Sequence, residues 1–163
     1  PTAGLHFTTG VLADLERRGV RRAEVLLDVG AGTFKPVEVA DPAAHVMHEE
    51  SFVIPTATAH AVAETRGTGH KLWAVGTTTV RALESAAAAS GLAATSGQTQ
   101  IFIRPPYSFQ LVDRMVTNFH LPRSTLLMLV AAFMGYDLTM RAYREAIARG
   151  YRFFSYGDAM VII

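Results

Sequence analysis

The sequence predicts an α/β domain, a layered fold in which helices flank a mostly parallel sheet. Three observations point there. Segments with helical caps alternate with apolar runs of strand length. Of the 163 residues 50% are hydrophobic and 18% charged, enough for a sizeable core and unlike a disordered chain. No repeat and no Pro- or Gly-rich linker divides the chain, so residues 1–163 read as one unit.

Thr8 or Thr9 caps a first helix running to about Arg18, with Val11, Leu12 and Leu15 on one face and Gly19 as its stop. Ala23–Val29 is a short apolar run with the pattern of a buried strand, ending in the turn Gly30-Ala31-Gly32-Thr33-Phe34. A polar acidic region containing Met47-His48-Glu49-Glu50 comes next. Pro55 then opens a helix to about Arg66, broken by Gly67 and Gly69. Lys71–Val75 is a second strand, and Gly76-Thr77-Thr78-Thr79 leads into a helix through Ala89. Ala93–Gly97 reads as a small-residue loop, and Gln100–Ile103 as a third strand stopped by Pro105 and Pro106. Pro122 closes the Thr117–His120 loop and disfavours helix at Leu121, so the next helix starts behind it with Ser124 or Thr125 as cap. Its run Leu126–Phe133 carries no polar residue and must lie inside the protein. Leu138–Arg149 is an amphipathic helix, and a last strand lies near Ala159–Ile163.

Composition removes several classes of function. Cysteine is absent, which excludes disulfides, thiolate catalysis and cysteine metal sites and fits a cytoplasmic protein. No apolar run approaches the roughly 18 residues of a membrane span. The chain opens on PTAGLHFTTG, without initiator methionine, and reads like the middle of a longer protein. Net charge is +1 but unevenly spread. Residues 28–64 carry Asp28, Glu38, Asp41, Glu49, Glu50 and Glu64 against Lys35, whereas residues 104–152 are rich in arginine. Arginine outnumbers lysine, which suits phosphate contacts as well as ordinary solvated faces.

Four motifs carry chemistry. A buried helix start behind Thr117, Asn118 and His120 would present unpaired amides to an anionic group, unless it is simply a capped core helix. Strand–Gly76-Thr77-Thr78-Thr79–helix offers close backbone approach and hydroxyl donors where open α/β sheets bind ligands, again with an ordinary capped helix as the plain alternative. Arg81 and Glu84 are spaced to pair on that helix. LLDVGAGTF resembles the first motif of S-adenosylmethionine methyltransferases, but Phe34 and Pro36 spoil the glycine pattern and the helix that should come after it. His48-Glu49 lacks the second histidine of HExxH, and nothing in the spacing of His6, His48 and His120 makes a metal site, so no metal is expected. In YRFFSYGD the aromatics read as packing first and as a base-stacking surface second, while Asp158 at the edge of a strand needs a partner.

Taken in order, PTAGLHFT, VGAGTFKPV, MHEE, AVGTTTVRALE, IFIRPPYSF, VDRMVTNFHLPRSTLLMLVAAF and YRFFSYGDAMVI resemble the S-adenosylmethionine:tRNA ribosyltransferase-isomerases of queuosine biosynthesis. The resemblance covers nearly the whole chain, with Asp28 and Pro106 standing where the family commonly has histidine and glycine. It implies the carboxyl-terminal part of the α/β catalytic domain, without the amino-terminal strands and an inserted β-barrel domain. It also implies an activity: the ribosyl group of S-adenosylmethionine, here a substrate, is transferred and isomerised onto the 7-aminomethyl-7-deazaguanine wobble base in the tRNA anticodon loop. Epoxyqueuosine forms, with adenine and methionine released. The intact protein is expected to be a cytoplasmic monomer that touches no membrane. Roles are assigned by chemical type. His120 or His6 would transfer protons. Thr117 and Asn118 would hold ribose hydroxyls, and Gly76, Thr77, Thr78 and Thr79 or Ser124 and Thr125 the methionine carboxylate. Glu49 and Asp158 would meet the acceptor's ammonium or a cationic intermediate. His48, Arg81, Arg114, Arg123 and Tyr156 would contact the tRNA. Two other readings stay open, a paralogue acting on a small molecule, hinted by Asp28, and a catalytically inactive RNA-binding module.

Overall fold

The computed structural model describes residues 1–30, 36–90 and 92–163, with residues 88–90 as backbone only. The Gly30–Phe34 turn, from residue 31 onward, therefore lies outside the described residues. Helix α1 spans Thr9–Arg17 with Thr8 as its cap, α2 Thr56–Gly67, α3 Thr77–Ser90, α4 Thr125–Met134 with Ser124 as its cap, and α5 Tyr136–Ala148. Strands are β1 Leu26–Leu27, β2 Glu50–Ile54, β3 Trp73–Val75, β4 Thr95–Thr99, β5 Arg114–Asn118 and β6 Ala159–Ile162.

The α/β class stands, but the strand directions differ from expectation. Two three-stranded sheets form, ordered β1-β2-β4 and β3-β5-β6. Among the described residues only β3 and β5 pair in parallel; the other pairings are antiparallel. Helix α3 packs against strands of both sheets. Its Val80, Ala82, Leu83 and Ala86 lie in one core with Ala74, Met115, Leu129 and Val130.

Several local expectations give way for identifiable reasons. The apolar run at 23–29 is an edge strand of two paired residues rather than a buried one. Val25 and Leu27 pack against the core, while Leu26 and Val29 are exposed. The small-residue loop at 93–97 is largely strand β4. Its composition suits the place, because a Cβ on Gly97 would sit 3.3 Å from the Phe52 ring across the ladder. Gln100–Ile103 makes no strand: the ladder ends at Thr99, and the chain beyond it is unpaired, although Ile103 is buried. Arg114–Asn118, whose polar end reads as a loop, is the central strand of the second sheet. Helix α4 buries Leu126, Leu129, Val130 and Ala131, leaving Leu127, Met128, Ala132 and Phe133 half-buried. No single helix is long and apolar enough to cross a membrane; α4 and α5 are bent by 116° at Gly135.

Two charged residues of α3 go inside, and not as a pair with each other. Arg81 Nη1 reaches Glu50 Oε2 at 2.5 Å, with the two side chains 3% and 0% exposed. Glu84 accepts the amides of Leu111 and Val112 at 3.0 Å on Oε1, and the Gln110 amide at 2.8 Å with the Tyr107 hydroxyl at 3.3 Å on Oε2. A buried charge persists only with such partners. Burial and the Glu84 carboxylate together push the Tyr107 phenol up to about 12.

Candidate functional site

Parallel β3 and β5 end on the same edge of their sheet, so the segments that leave the two strands are brought together. After β3 comes Gly76, whose amide donates to Val116 O at 2.7 Å and extends the ladder by one residue. Its φ of +89° turns the chain into α3, and the first backbone bond of that helix runs from Val80 to Gly76 O. The amides of Thr77, Thr78 and Thr79 thus precede the helical ladder and carry the positive end of a 14-residue helix. The Thr79 hydroxyl donates to Val75 O at 2.8 Å, while the buried Thr78 Oγ1 has no hydrogen-bond partner among the described residues. After β5 come Phe119 and His120.

A cleft of about 400 Å³ opens between these two strand ends. The polar part of its lining is Gly76–Thr79, Thr117, Asn118 and His120. The apolar part of the lining is Leu26, Leu27, Val29, Leu126 and Phe154. Pro1, Thr2 and Ala3 also line the cleft, and Pro1 leaves no room for a side chain on residue 76. Thr2 Oγ1 donates to Asn118 Oδ1 at 3.0 Å, and Asn118 Nδ2 donates to the carbonyls of Gly157 and Asp158 at 3.3 and 3.4 Å. Asn118 therefore ties the first residues to the last loop.

His120 is buried and hydrogen-bonded through Nε2 to Thr117 Oγ1 at 2.8 Å. Its amide donates to the Tyr143 hydroxyl at 3.0 Å, a phenol that burial pushes up to about 12. Burial pushes the His120 imidazole down to about 4, away from the neutral range expected of a free histidine. The unfolded chain then binds the extra proton between about pH 6.5 and 4, so this contribution to stability is complete above 6.5 and lost as pH falls through 4. The loss should be about 3 kcal/mol. Urea unfolding at pH 7 and pH 4 should show it in the native protein and not in His120→Gln; equal pH slopes would refute it.

The other candidates divide. His6 is exposed on the 3-10 turn Thr2–His6, near enough to Asp158 to act on its charge. The Asp158 carboxylate is held by Arg152, from Nη2 at 3.1 Å and from the amide at 2.8 Å, and these bonds lower its pKa. Ser124 spends its hydroxyl on Leu121 O while accepting the Leu127 amide, which leaves it no donor for a carboxylate; buried Thr125 Oγ1 has no hydrogen-bond partner among the described residues. Arg81 is sealed against Glu50 and cannot reach a phosphate, because its charge entered the core with its counter-ion. Arg114 lies over the Trp73 ring at 5.7 Å, and Arg123, at φ +57°, donates to Val37 O at 3.2 Å. His48, Glu49 and Tyr156 are exposed and do not line the cleft. Asp28 is exposed too, its amide bonded to Ser51 O. Among the described residues no group of three His, Cys, Asp or Glu side chains is arranged around a metal.

Sequence reasoning missed Thr2 and Ser155, and it read the aromatics of YRFFSYGD, Phe154 among them, as packing before stacking. Thr2 sits in the same PTAGLHFT segment as His6, where the ring draws attention as a titratable group; the hydroxyl, not the ring, faces Asn118.

A family model described as queuosine biosynthesis protein matches residues 1–162. The chain is 59% identical to an S-adenosylmethionine:tRNA ribosyltransferase-isomerase of Thiobacillus denitrificans, over 99% of this chain and 47% of the relative. It is 56% identical to one of Thermotoga maritima, over 100% and 49%. A crystal structure of S-adenosylmethionine tRNA ribosyltransferase from Thermotoga maritima superposes with a TM-score of 0.84 at 51% identity, covering 99% of this chain and 51% of that one. The chain spans about half the length of the curated relatives it matches.

Proposed function

The chain belongs to the queuosine biosynthesis protein family, and from that membership we propose that the intact protein transfers and isomerises the ribosyl group of S-adenosylmethionine onto the 7-aminomethyl-7-deazaguanine wobble base of tRNA. Epoxyqueuosine is the product, and adenine and methionine leave. One observation carries the reading: the start of α3 and the Thr117–Asn118–His120 edge line a single cleft whose walls mix polar and apolar side chains. Such a cleft suits a ligand with a carboxylate, ribose hydroxyls and a flat base.

Within it, the Thr77–Thr79 amides and Thr78 Oγ1 take the methionine carboxylate. Thr117 and Asn118 take ribose hydroxyls. The sulfonium makes the neighbouring C5′ proton acidic, and a base must remove it. His120 is uncharged at neutral pH, the form a base needs, with Thr117 orienting its ring. Outside the cleft lining, Asp158, whose backbone carbonyl accepts from Asn118, and the exposed His6 and Glu49 are the groups left for the acceptor's ammonium or a second proton transfer. Exposed Arg123, His48 and Tyr156, together with Arg114, are left for the anticodon loop. The reaction runs in the cytoplasm, where its tRNA is.

The test is product analysis. The intact protein, given S-adenosylmethionine and tRNA bearing the aminomethyl base, should release free adenine and leave epoxyqueuosine in nucleoside digests. S-adenosylhomocysteine as the product would overturn the reading in favour of methyl transfer.

A further inference from the structure

Among the described residues, Phe154 is the bulky side chain on the cleft wall whose backbone is strained. Its φ is +68°, a conformation an L-residue with an aromatic ring rarely adopts and one that surrounding structure must enforce. The enforcement is visible. The segment 152–158 closes on itself through Asp158 N to Arg152 O at 2.8 Å and Gly157 N to Phe154 O at 3.1 Å. The Asp158 carboxylate clasps Arg152 at both its amide and its guanidinium. A Cβ on Gly157 would lie 2.4 Å from Arg152 O, so the loop is packed as tightly as backbone allows. Phe154 N donates to Phe119 O at 2.8 Å, which fixes the strained residue to the turn carrying His120. Neighbouring Tyr151 and Phe153 set their rings against Phe119, and Phe153 packs on the core. Phe154 instead lines the same cleft as the Gly76–Thr79 turn and stays 41% exposed.

The geometry points to Phe154 as the aromatic wall on which a purine-type ring of the substrate stacks, with the Arg152–Asp158 clasp and Gly157 as the residues that position it. This rests on the functional reading above and names the part of the site that takes the base. Strain at the one ring of this loop that lines the cleft makes sense when the conformation is needed for a ligand. Aromatic–base stacking is worth about 1–3 kcal/mol, which converts to roughly 5- to 150-fold in affinity. Two sources of the ring share this chemistry, the adenine of S-adenosylmethionine and the extruded wobble base.

The experiment is calorimetry on the intact protein with S-adenosylmethionine, adenosine, methionine and modified tRNA, for the unsubstituted protein, Phe154→Ala, Phe154→Gly and Phe154→Tyr. Phe154→Gly removes ring and strain together, so its thermal stability separates lost stacking from a collapsed loop. The expected result is a roughly 5- to 150-fold weakening of S-adenosylmethionine and adenosine by both Ala and Gly, methionine unaffected, and Tyr within about threefold of native. The same loss seen with tRNA alone would support stacking of the wobble base instead. Unchanged affinity for all ligands, or equal losses for methionine and adenosine, would overturn the proposal. If the unsubstituted protein binds neither S-adenosylmethionine nor adenosine, the functional reading falls and this inference with it.

Discussion

Glu84→Gln should destabilise the protein by about 3–5 kcal/mol, the cost of leaving buried donors without an acceptor. The carboxylate receives the amides of Gln110, Leu111 and Val112 and the hydroxyl of Tyr107, two donors on each oxygen. Glutamine keeps the shape but turns one oxygen into an NH2 group, which then faces donors instead of accepting from them. No water can reach the site to compensate, since Glu84 is fully buried. Glu84 takes three successive amides of the segment before β5, which among the described residues Arg66 and Leu72 hold only at Leu111 and Asp113, so its register against the central strand should loosen. The melting temperature should fall by roughly 10 °C. Amide exchange at Gln110–Val112 should accelerate before the rest of the core. A loss under about 1 kcal/mol would show that these amides find other partners.

Gly76→Ala should cripple the cleft without unfolding the protein. Two effects combine there. The φ of +89° strains any side chain, and a Cβ would lie 2.3 Å from Pro1 Cβ, far inside contact distance. The segment Pro1–Ala3 must then move, breaking the Thr2–Asn118 bond and displacing part of the cleft lining. Affinity for S-adenosylmethionine should drop by more than about tenfold, on top of roughly 1–3 kcal/mol of strain. Gly19→Ala is the matched control, because Gly19 has φ +77° with nothing within 4 Å of the added Cβ. It should lose stability by strain alone and bind normally. Indistinguishable behaviour of the two variants would remove Pro1 from the account.

What was legible in the sequence were the elements with local signals. Thr8 and Ser124 cap where their hydroxyls predicted, and Gly76-Thr77 turns strand into helix where glycine and threonine pointed. Strands whose residues answer to a distant partner were not legible. Strand β4 is built of Thr, Ser, Gly and Gln because Phe52 covers it, and that pairing lies some forty residues away in sequence. Strand β5 hid inside a reactive-looking cluster, since Thr117 and Asn118 are polar yet buried in the middle of their sheet. The site was half visible for the same reason. The threonine turn and the Asn118–His120 edge could be named from chemistry, and they meet at one cleft. The expected ion pair of Arg81 with Glu84 failed because each answers a different part of the fold, Glu50 on one side and residues 107–112 on the other.

Helix α3 thus does three jobs at once: its first turn opens into the cleft, Arg81 anchors one sheet, and Glu84 anchors the approach to the other. Anyone seeking to retune this pocket for a different nucleoside has little freedom along that helix, where a change made for selectivity also undermines the scaffold. Room for redesign lies at the rim, along the exposed edge strand and the aromatic loop, where side chains can be exchanged while the beam between the sheets is left untouched.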